Sequence, residues 1–391
     1  MSDENALARF HPETRAIMAG RHPARYEGAV NPPVHRASTL ILAKVDDLYG
    51  ERVQTYGLEG MAVHEALKEA LSAIEGGAAV ALAPSGLMAC TLPLLALARP
   101  GGEVLVTDSV YAPTRRFCDR MLSRLGVATR YYDPCIGAGI GDLIHADTLA
   151  LFMETPGSLT FELQDVPAMV NAASAHGVAT IIDNTWSAGL YFQPFAHGVD
   201  FSVQALTKYQ GGHADLLAGA VLARTPQLGT RIAATVRELG VGVSPDDAYL
   251  ALRGIRDMHA RLLLQSASAL RIATWLEARP EVGRVLHPAL PSHPGHALWK
   301  RDFSGASGLF GLVLAPTTQA RLTSMLESLK VLSMGFSWGG YESLIIPCDP
   351  QLTRTAAPWR ADGPLLRLSI GLEHTDDLIA DLEQAFEHLR P

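Results

Sequence analysis

The chain has 391 residues, 48% of them hydrophobic and 18% charged, with a formal net charge of -8. That length exceeds one ordinary core and predicts two or three domains, and the composition fits a compact enzyme rather than a disordered chain. The negative balance gives no reason to expect nucleic acid or an anionic membrane as a partner.

The four cysteines, Cys90, Cys118, Cys135 and Cys348, lack CxxC spacing, so neither a zinc site nor a disulfide framework is indicated. A reducing cytoplasm is the simplest home. The N-terminus, Met1-Ser-Asp-Glu-Asn, is acidic without an apolar signal core, and no apolar run reaches the length of a membrane span. A soluble, unprocessed protein is expected.

The first sixty residues are rich in Pro, Gly, His and Arg and show little periodicity, so 1–60 reads as an extended arm that packs on another subunit. A helix starts near Met61, with Val63, Leu67, Ala70, Leu71 and Ile74 on one face, and Gly76-Gly77 stops it. From Ala78 to about Ala223 short apolar runs alternate with helical patterns: Ala79 to Ala83, Val104 to Thr107, Thr129 to Asp133, Leu149 to Glu154, Val178 to Asn184, Phe201 to Ala205 and Leu216 to Ala223. Runs apolar on both faces suit strands of a mainly parallel, doubly wound sheet covered by helices. Helical periodicity from about Pro245 to Leu276 leads to strands near Leu309 to Leu314 and Leu365 to Ile370 and a final helix after Asp376, a smaller α+β domain. The division is a large domain over 61–250 and a small one over 251–391.

Ligands on such sheets gather beyond the carboxyl ends of strands, where Ser85, Asp183 and Lys208 all fall. An acid closing one strand and a lysine just past the next serve an aldehyde cofactor with a ring nitrogen. The amine of Lys208 can condense with the aldehyde, and the Asp183 carboxylate can keep the ring nitrogen protonated, making the ring an electron sink. The pattern reads as pyridoxal phosphate chemistry. Read singly, Lys208 is an ordinary surface charge and Asp183 a helix cap or turn acid; the pairing favours the cofactor. Gly211-Gly212 lets backbone approach a ligand, and Thr207 offers a hydroxyl to a phosphate oxygen.

Ala83-Pro84-Ser85-Gly86-Leu87-Met88 joins a strand to an apolar helix whose first amides can bind phosphate, although simple capping is the commoner use of such a turn. Tyr111 can lie on a cofactor face, or be a packing aromatic. Arg367, inside the apolar strand Leu365-Leu-Arg-Leu-Ser-Ile-Gly-Leu-Glu373, demands either a substrate carboxylate or a buried acid partner.

Over nearly its whole length the chain resembles the Cys/Met metabolism family of pyridoxal-phosphate enzymes, and most of all its cystathionine β-lyase branch. The segments that carry the resemblance are Tyr56-Gly, Leu-Glu75-Gly-Gly, Asp183-Asn-Thr-Trp186, Thr207-Lys208-Tyr209, Pro288-Ala-Leu-Pro, Trp299-Lys-Arg-Asp-Phe-Ser-Gly, Ser337-Trp-Gly-Gly-Tyr-Glu-Ser343 and Arg367-Leu-Ser-Ile-Gly-Leu-Glu373. The resemblance implies a type I, aspartate-aminotransferase-like α/β fold with a mainly parallel seven-stranded sheet in a large domain and a smaller α+β C-terminal domain. It implies that Lys208 is the Schiff-base lysine and proton shuttle, Asp183 the pyridine partner and Tyr111 the stacking tyrosine. It further implies that Gly86, Leu87 and Thr207 bind phosphate, that Tyr56 reaches the cofactor of the neighbouring subunit, and that Ser337, Trp338 and Arg367 hold the substrate. The implied assembly is a homotetramer of two active dimers acting on an amino acid.

One departure stands out at Tyr56-Gly57-Leu58-Glu59-Gly60, where the β-lyases carry Arg-Arg after the glycine; Arg116 stands where they carry an acid. Either Glu59 and Arg116 form a swapped ion pair and cystathionine still binds, or the mouth prefers a neutral or cationic tail such as canavanine. The expected activity is elimination of a side-chain leaving group from an L-amino acid, at Cβ as for cystathionine or at Cγ. A cofactor-free scaffold is the remote alternative.

Overall fold

The computed structural model describes residues 7, 9–50 and 54–390. The acidic Met1–Asn5 segment, read above as lacking a signal core, and residues 51–53 of the expected arm lie outside the described residues.

The large sheet contains β1 (Ala79–Ala83), β2 (Glu103–Thr107), β3 (Ala128–Tyr132), β4 (Thr148–Glu154), β5 (Ala179–Asp183), β6 (Phe201–Gln204) and β7 (Gly219–Ala223). Their order is β1-β7-β6-β5-β4-β2-β3. Only β7 runs antiparallel, against both β1 and β6, and the other pairs are parallel. All four residues of β6 and all five of β7 are buried, because helices cover both faces. The last strand begins later than the apolar run from Leu216 suggests. Thr207 donates its N–H to the Ala218 carbonyl at 3.2 Å and its hydroxyl accepts from the Ala218 N–H at 3.1 Å, so this backbone is satisfied before the ladder starts.

The helix Ala62–Glu75 forms where the periodicity places it, with Val63, Leu67, Ala70, Leu71 and Ile74 all buried, and Gly76 ends it at a φ of 91°. The helix Gly86–Leu97 is apolar all round and is packed between the sheet and its neighbours.

A second sheet contains β8 (Val282–Leu286), β9 (Leu309–Leu314), β10 (Ser333–Met334), β11 (Leu344–Pro347) and β12 (Leu365–Ser369) in the order β10-β11-β12-β9-β8. The sequence shows β9 and β12, whose residues are all buried, but not the other three. Part of β8 and both residues of β10 are exposed, which dilutes their apolar signal, and β11 is only four residues long.

The 33-residue helix Pro245–Glu277 joins the two layers. Its residues from Ala248 to Leu262 pack into the core under the large sheet, and those from Ala269 to Leu276 into the core of the second. Residue 250, the expected domain division, thus falls inside one continuous helix. A Cβ on Gly254 would lie 2.0 Å from the Gln210 carbonyl oxygen, so glycine there lets the helix press against the turn that follows Lys208. Arg261, two helical turns further on the same face, donates to the Tyr209 carbonyl at 2.9 Å and fixes the same turn. No helix among the described residues is long and apolar enough to cross a membrane.

Candidate active site

A cavity opens beyond the carboxyl ends of the large sheet and is roofed by the second sheet. Glu154 ends β4 and Asp183 ends β5, side by side in parallel register. Both line this cavity together with Ser85, Gly86, Leu87, Tyr111, Thr207, Lys208, Trp338 and Arg367. The apolar strands bury the backbone, so the first polar side chain after each strand is delivered to one place.

Asp183 is held in a fixed rotamer: Oδ1 accepts from the Thr185 N–H at 3.0 Å and its hydroxyl at 2.6 Å, and Oδ2 accepts from the Cys90 thiol at 3.5 Å. It retains accessible surface through the cavity, yet burial raises its pKa, and no ion pair reaches it among the described residues. A carboxylate so placed fits a protonated ring nitrogen, which supplies the missing cation. Behind it the buried Glu75 accepts from Asn184 at 2.7 Å, from Gln204 at 3.0 Å and from the Ser202 hydroxyl, locking the residue next to Asp183. This places the Leu-Glu75-Gly-Gly and Asp183-Asn184 segments in one hydrogen-bonded unit.

The Lys208 amine donates to the Ser337 hydroxyl at 2.9 Å and lies 5.2 Å from the centre of the Trp338 ring. Burial and the nearby Arg367 lower its pKa to about 8, against a smaller opposing pull from Asp183. Ser337 adopts a left-handed φ of 71°, and from that conformation its carbonyl accepts from Arg367 Nη2 at 2.7 Å. One residue therefore touches both the lysine and the arginine.

Arg367 sits in β12 between Ile346 and Gly311 on the neighbouring strands. It is 9% exposed, burial lowers its pKa, and its Nε is buried with no hydrogen-bond partner. The ion-pair alternative is not realised: no carboxylate meets it among the described residues. A buried guanidinium with an open donor is a receptor for an anion.

At the start of the helix Gly86–Leu97, the Ser85 hydroxyl accepts from the Met88 N–H at 3.1 Å. The N–H groups of Gly86 and Leu87 have no intrahelical acceptor and lie at the cavity wall, where they can hold a phosphate. A Cβ on Gly86 would fall 2.5 Å from that of Ala205, so the helix meets the Lys208 loop only with glycine here. Thr207 lines the cavity, but its hydroxyl also donates to the Ala218 carbonyl at 3.2 Å, so a phosphate oxygen would have to take that proton over. Tyr111 lines the cavity, and its backbone N–H donates to Glu154 Oε2 at 2.7 Å.

The residues expected at the mouth are elsewhere within the chain. Tyr56, Glu59 and Arg116 are exposed and line no part of the cavity. Tyr56 pairs with Thr39, and the Gly57 N–H donates to the Ser38 carbonyl at 2.8 Å, so this segment is tied to the arm. No ion pair joins Glu59 to Arg116 among the described residues; the guanidinium neighbour of Arg116, Arg115, is the one that is paired, to Asp108.

Glu154, Asp108 and Arg354 line the cavity and were not singled out from the sequence. Glu154 carried the same signal as Asp183, an acid closing an apolar strand. Burial and the neighbouring Asp183 push its pKa well up. Arg354 lies in a loop and has no such signal.

The profile of the family described as Cys/Met metabolism PLP-dependent enzyme matches residues 13–387. Over 378 residues the chain is 47% identical to a protein of Rhizobium johnstonii provisionally named cystathionine beta-lyase, covering 95% of each. It is 40% identical over 391 residues to the cystathionine beta-lyase of Salmonella typhimurium, covering 96% of this chain and 98% of that one. Among solved structures, the cystathionine gamma-lyase of Lactobacillus plantarum complexed with L-serine superposes with a TM-score of 0.90 at 29% identity, over 97% of this chain and 99% of that one. With strand-end Asp183 and Lys208 converging on one cavity beside the unpartnered Arg367, the chain belongs to the Cys/Met metabolism family of pyridoxal-phosphate-dependent enzymes.

Proposed function

We propose that the protein is a lyase that expels a side-chain leaving group from an L-amino acid, by carbon–sulfur β-elimination of the cystathionine type, giving a thiol, pyruvate and ammonia. Two of the relatives carry the name cystathionine beta-lyase. The observation that carries the substrate class is the buried Arg367 with its open Nε, which suits an amino-acid α-carboxylate.

Bound pyridoxal phosphate supplies the electron sink for the charge that develops at Cα. In this reading Asp183 keeps the ring nitrogen protonated, Tyr111 covers the ring, and the N–H groups of Gly86 and Leu87 with the Thr207 hydroxyl hold the phosphate. Arg367, with Ser337 and Trp338 beside it, orients the α-carboxylate so that the Cα–H bond faces the Lys208 amine. With a pKa lowered to about 8, that amine is free base in a useful fraction at neutral pH and takes the Cα proton.

The same reading makes 1–60 an arm on a neighbouring subunit, 61–250 the cofactor domain and 251–391 the small domain, assembled as a cytoplasmic homotetramer. The arm is not extended throughout, because Pro12–Met18 is a helix whose Ala16 packs into this chain's own core beside Val63 and Leu67. Tyr56, tied to the arm and exposed at 52%, is free to serve the neighbour's site. A γ-lyase taking a neutral or cationic tail is the second reading, favoured by Leu58 and Glu59 in place of two arginines.

The test is product analysis on cystathionine, homocysteine, methionine and canavanine. β-Elimination gives pyruvate and homocysteine from cystathionine; release of 2-oxobutyrate as the main keto acid moves the leaving group to Cγ, and no keto acid from any of them removes the lyase reading.

A further inference from the structure

The geometry points to a second carboxylate receptor in the same cavity, centred on Arg354, which selects amino acids whose side chain ends in a carboxylate. This deepens the lyase reading and rests on it. Arg354 lines the cavity, its side chain is 6% exposed, and its Nη1 is buried with no hydrogen-bond partner. The other terminal nitrogen is fixed: Nη2 donates to Glu162 Oε1 at 2.7 Å and to the Thr160 hydroxyl. Glu162 is not a lining residue, so of this ion pair only the arginine meets the cavity.

The loop that carries Arg354 is itself anchored. The fully buried Asp108 carboxylate accepts from the N–H groups of Thr355 at 3.0 Å, Ala356 at 2.8 Å and Ala357 at 2.8 Å, and pairs with Arg115. Glu162 sits in a segment where Leu159 and Phe161 adopt positive φ values of 67° and 57°. Such conformations in non-glycine residues persist only where the surroundings fix them. The guanidinium is thus held before any substrate arrives, with one donor group left over.

The charges around it leave an anion as the fitting ligand. Of the lining carboxyl groups, Asp108 is saturated by amides and Arg115, Glu154 accepts from the Tyr111 N–H at 2.7 Å and has its pKa raised by burial, and Asp183 belongs to the ring nitrogen. The two lining groups with open, buried donors are both guanidiniums, Arg367 and Arg354. One takes the α-carboxylate and the other the distal one. Arg354 does from the loop what the absent arginines at Leu58 and Glu59 do not do from the arm, and a cationic tail is disfavoured.

The test compares S-(2-carboxyethyl)-L-cysteine with S-propyl-L-cysteine on the holoenzyme, together with calorimetric binding of adipate and hexanoate. The wild type is expected to favour the carboxylate member of each pair, and Arg354→Gln to erase that preference by about tenfold to a hundredfold, mostly in KM, with propylcysteine turnover within about threefold. Glu162→Gln removes the competing anion and is expected to increase the preference, which decides the matter if Arg354→Gln unfolds. Equal loss on both cysteines, or a wild type without preference, overturns the receptor. No pyruvate from either cysteine sinks the lyase reading alone, and the adipate-to-hexanoate ratio in wild type and variants then still decides for or against Arg354.

Discussion

The floor and the far wall of the cavity are held by different means. On the floor, Asp183 and Glu154 leave adjacent strands of one parallel sheet, and Lys208 follows the next strand, so backbone ladders fix their spacing. On the far wall, Arg354 rides on an irregular loop whose position depends on one carboxylate, Asp108, reaching across from just beyond β2 of the large sheet. The floor therefore withstands side-chain changes with its geometry intact, whereas the wall depends on single polar contacts. Chemistry is placed where the fold is stiff, and selectivity where a few hydrogen bonds set the shape.

The sharpest way to break this contrast is Lys208→Ala. Turnover is expected to fall by at least about a thousandfold, because the proton-transfer group is lost. The melting temperature is expected to hold or rise, since burial already disfavours the lysine charge and the ladder does not need it. Pyruvate release and thermal unfolding check both halves; a variant that loses activity and stability together would make the floor as fragile as the wall.

A second effect concerns the amine itself. With its pKa lowered to about 8 from 10.5, the Lys208 amine in the cofactor-free protein carries roughly 300-fold more free base near neutrality than an ordinary lysine. Its rate of reductive alkylation by a small aldehyde is expected to rise with pH and level off above about 8. A rate that keeps climbing to the ordinary lysine range would show that the floor does not tune the amine.

How much of this was legible follows the same division. Asp183 and Lys208 announced themselves because each is the polar residue that follows an apolar strand, and Arg367 because a guanidinium interrupts Leu-Leu-Arg-Leu. The helix Ala62–Glu75 was legible from its apolar face and its Gly76 stop. Glu154 showed the same sign as Asp183 and was passed over as the end of a strand. Arg354 was out of reach: it stands in Thr353-Arg354-Thr355 with no periodicity, and its position comes from Asp108 amide contacts formed across the whole chain. Long-range side-chain to backbone bonds leave no local pattern, and neither do the exposed residues of β8 and β10.

The wall is expected to fail through Asp108→Asn. The substitution leaves Arg115 buried without its charge partner and weakens several amide contacts, a cost on the order of 3 kcal/mol. Amide hydrogen bonds and Arg115 outweigh burial and hold the Asp108 pKa below its ordinary value. A lowered folded-state pKa contributes stability above the ordinary carboxylate range that disappears as pH falls through the folded value. The variant is therefore expected to lose stability at neutral pH and to show a flatter acid limb than the wild type in pH-dependent melting. An unchanged neutral melting temperature would mean that the loop holds without Asp108.

The smallest expected effect tests whether the arm touches the site at all. Glu59 is exposed and lines no part of its own chain's cavity, so within one subunit its charge is worth little. If the arm completes a neighbour's cavity, Glu59 repels a substrate with a carboxylate tail, and Glu59→Ala raises kcat/KM for S-(2-carboxyethyl)-L-cysteine by about twofold to threefold at low salt. That gain shrinks toward none as ionic strength rises and the charge is screened over about 10 Å. S-propyl-L-cysteine, with no tail charge, is expected to show no gain at any salt. A salt-independent change, or an equal one on both substrates, would place Glu59 outside the electrostatics of the mouth and leave Arg354 as the group that reads the distal end.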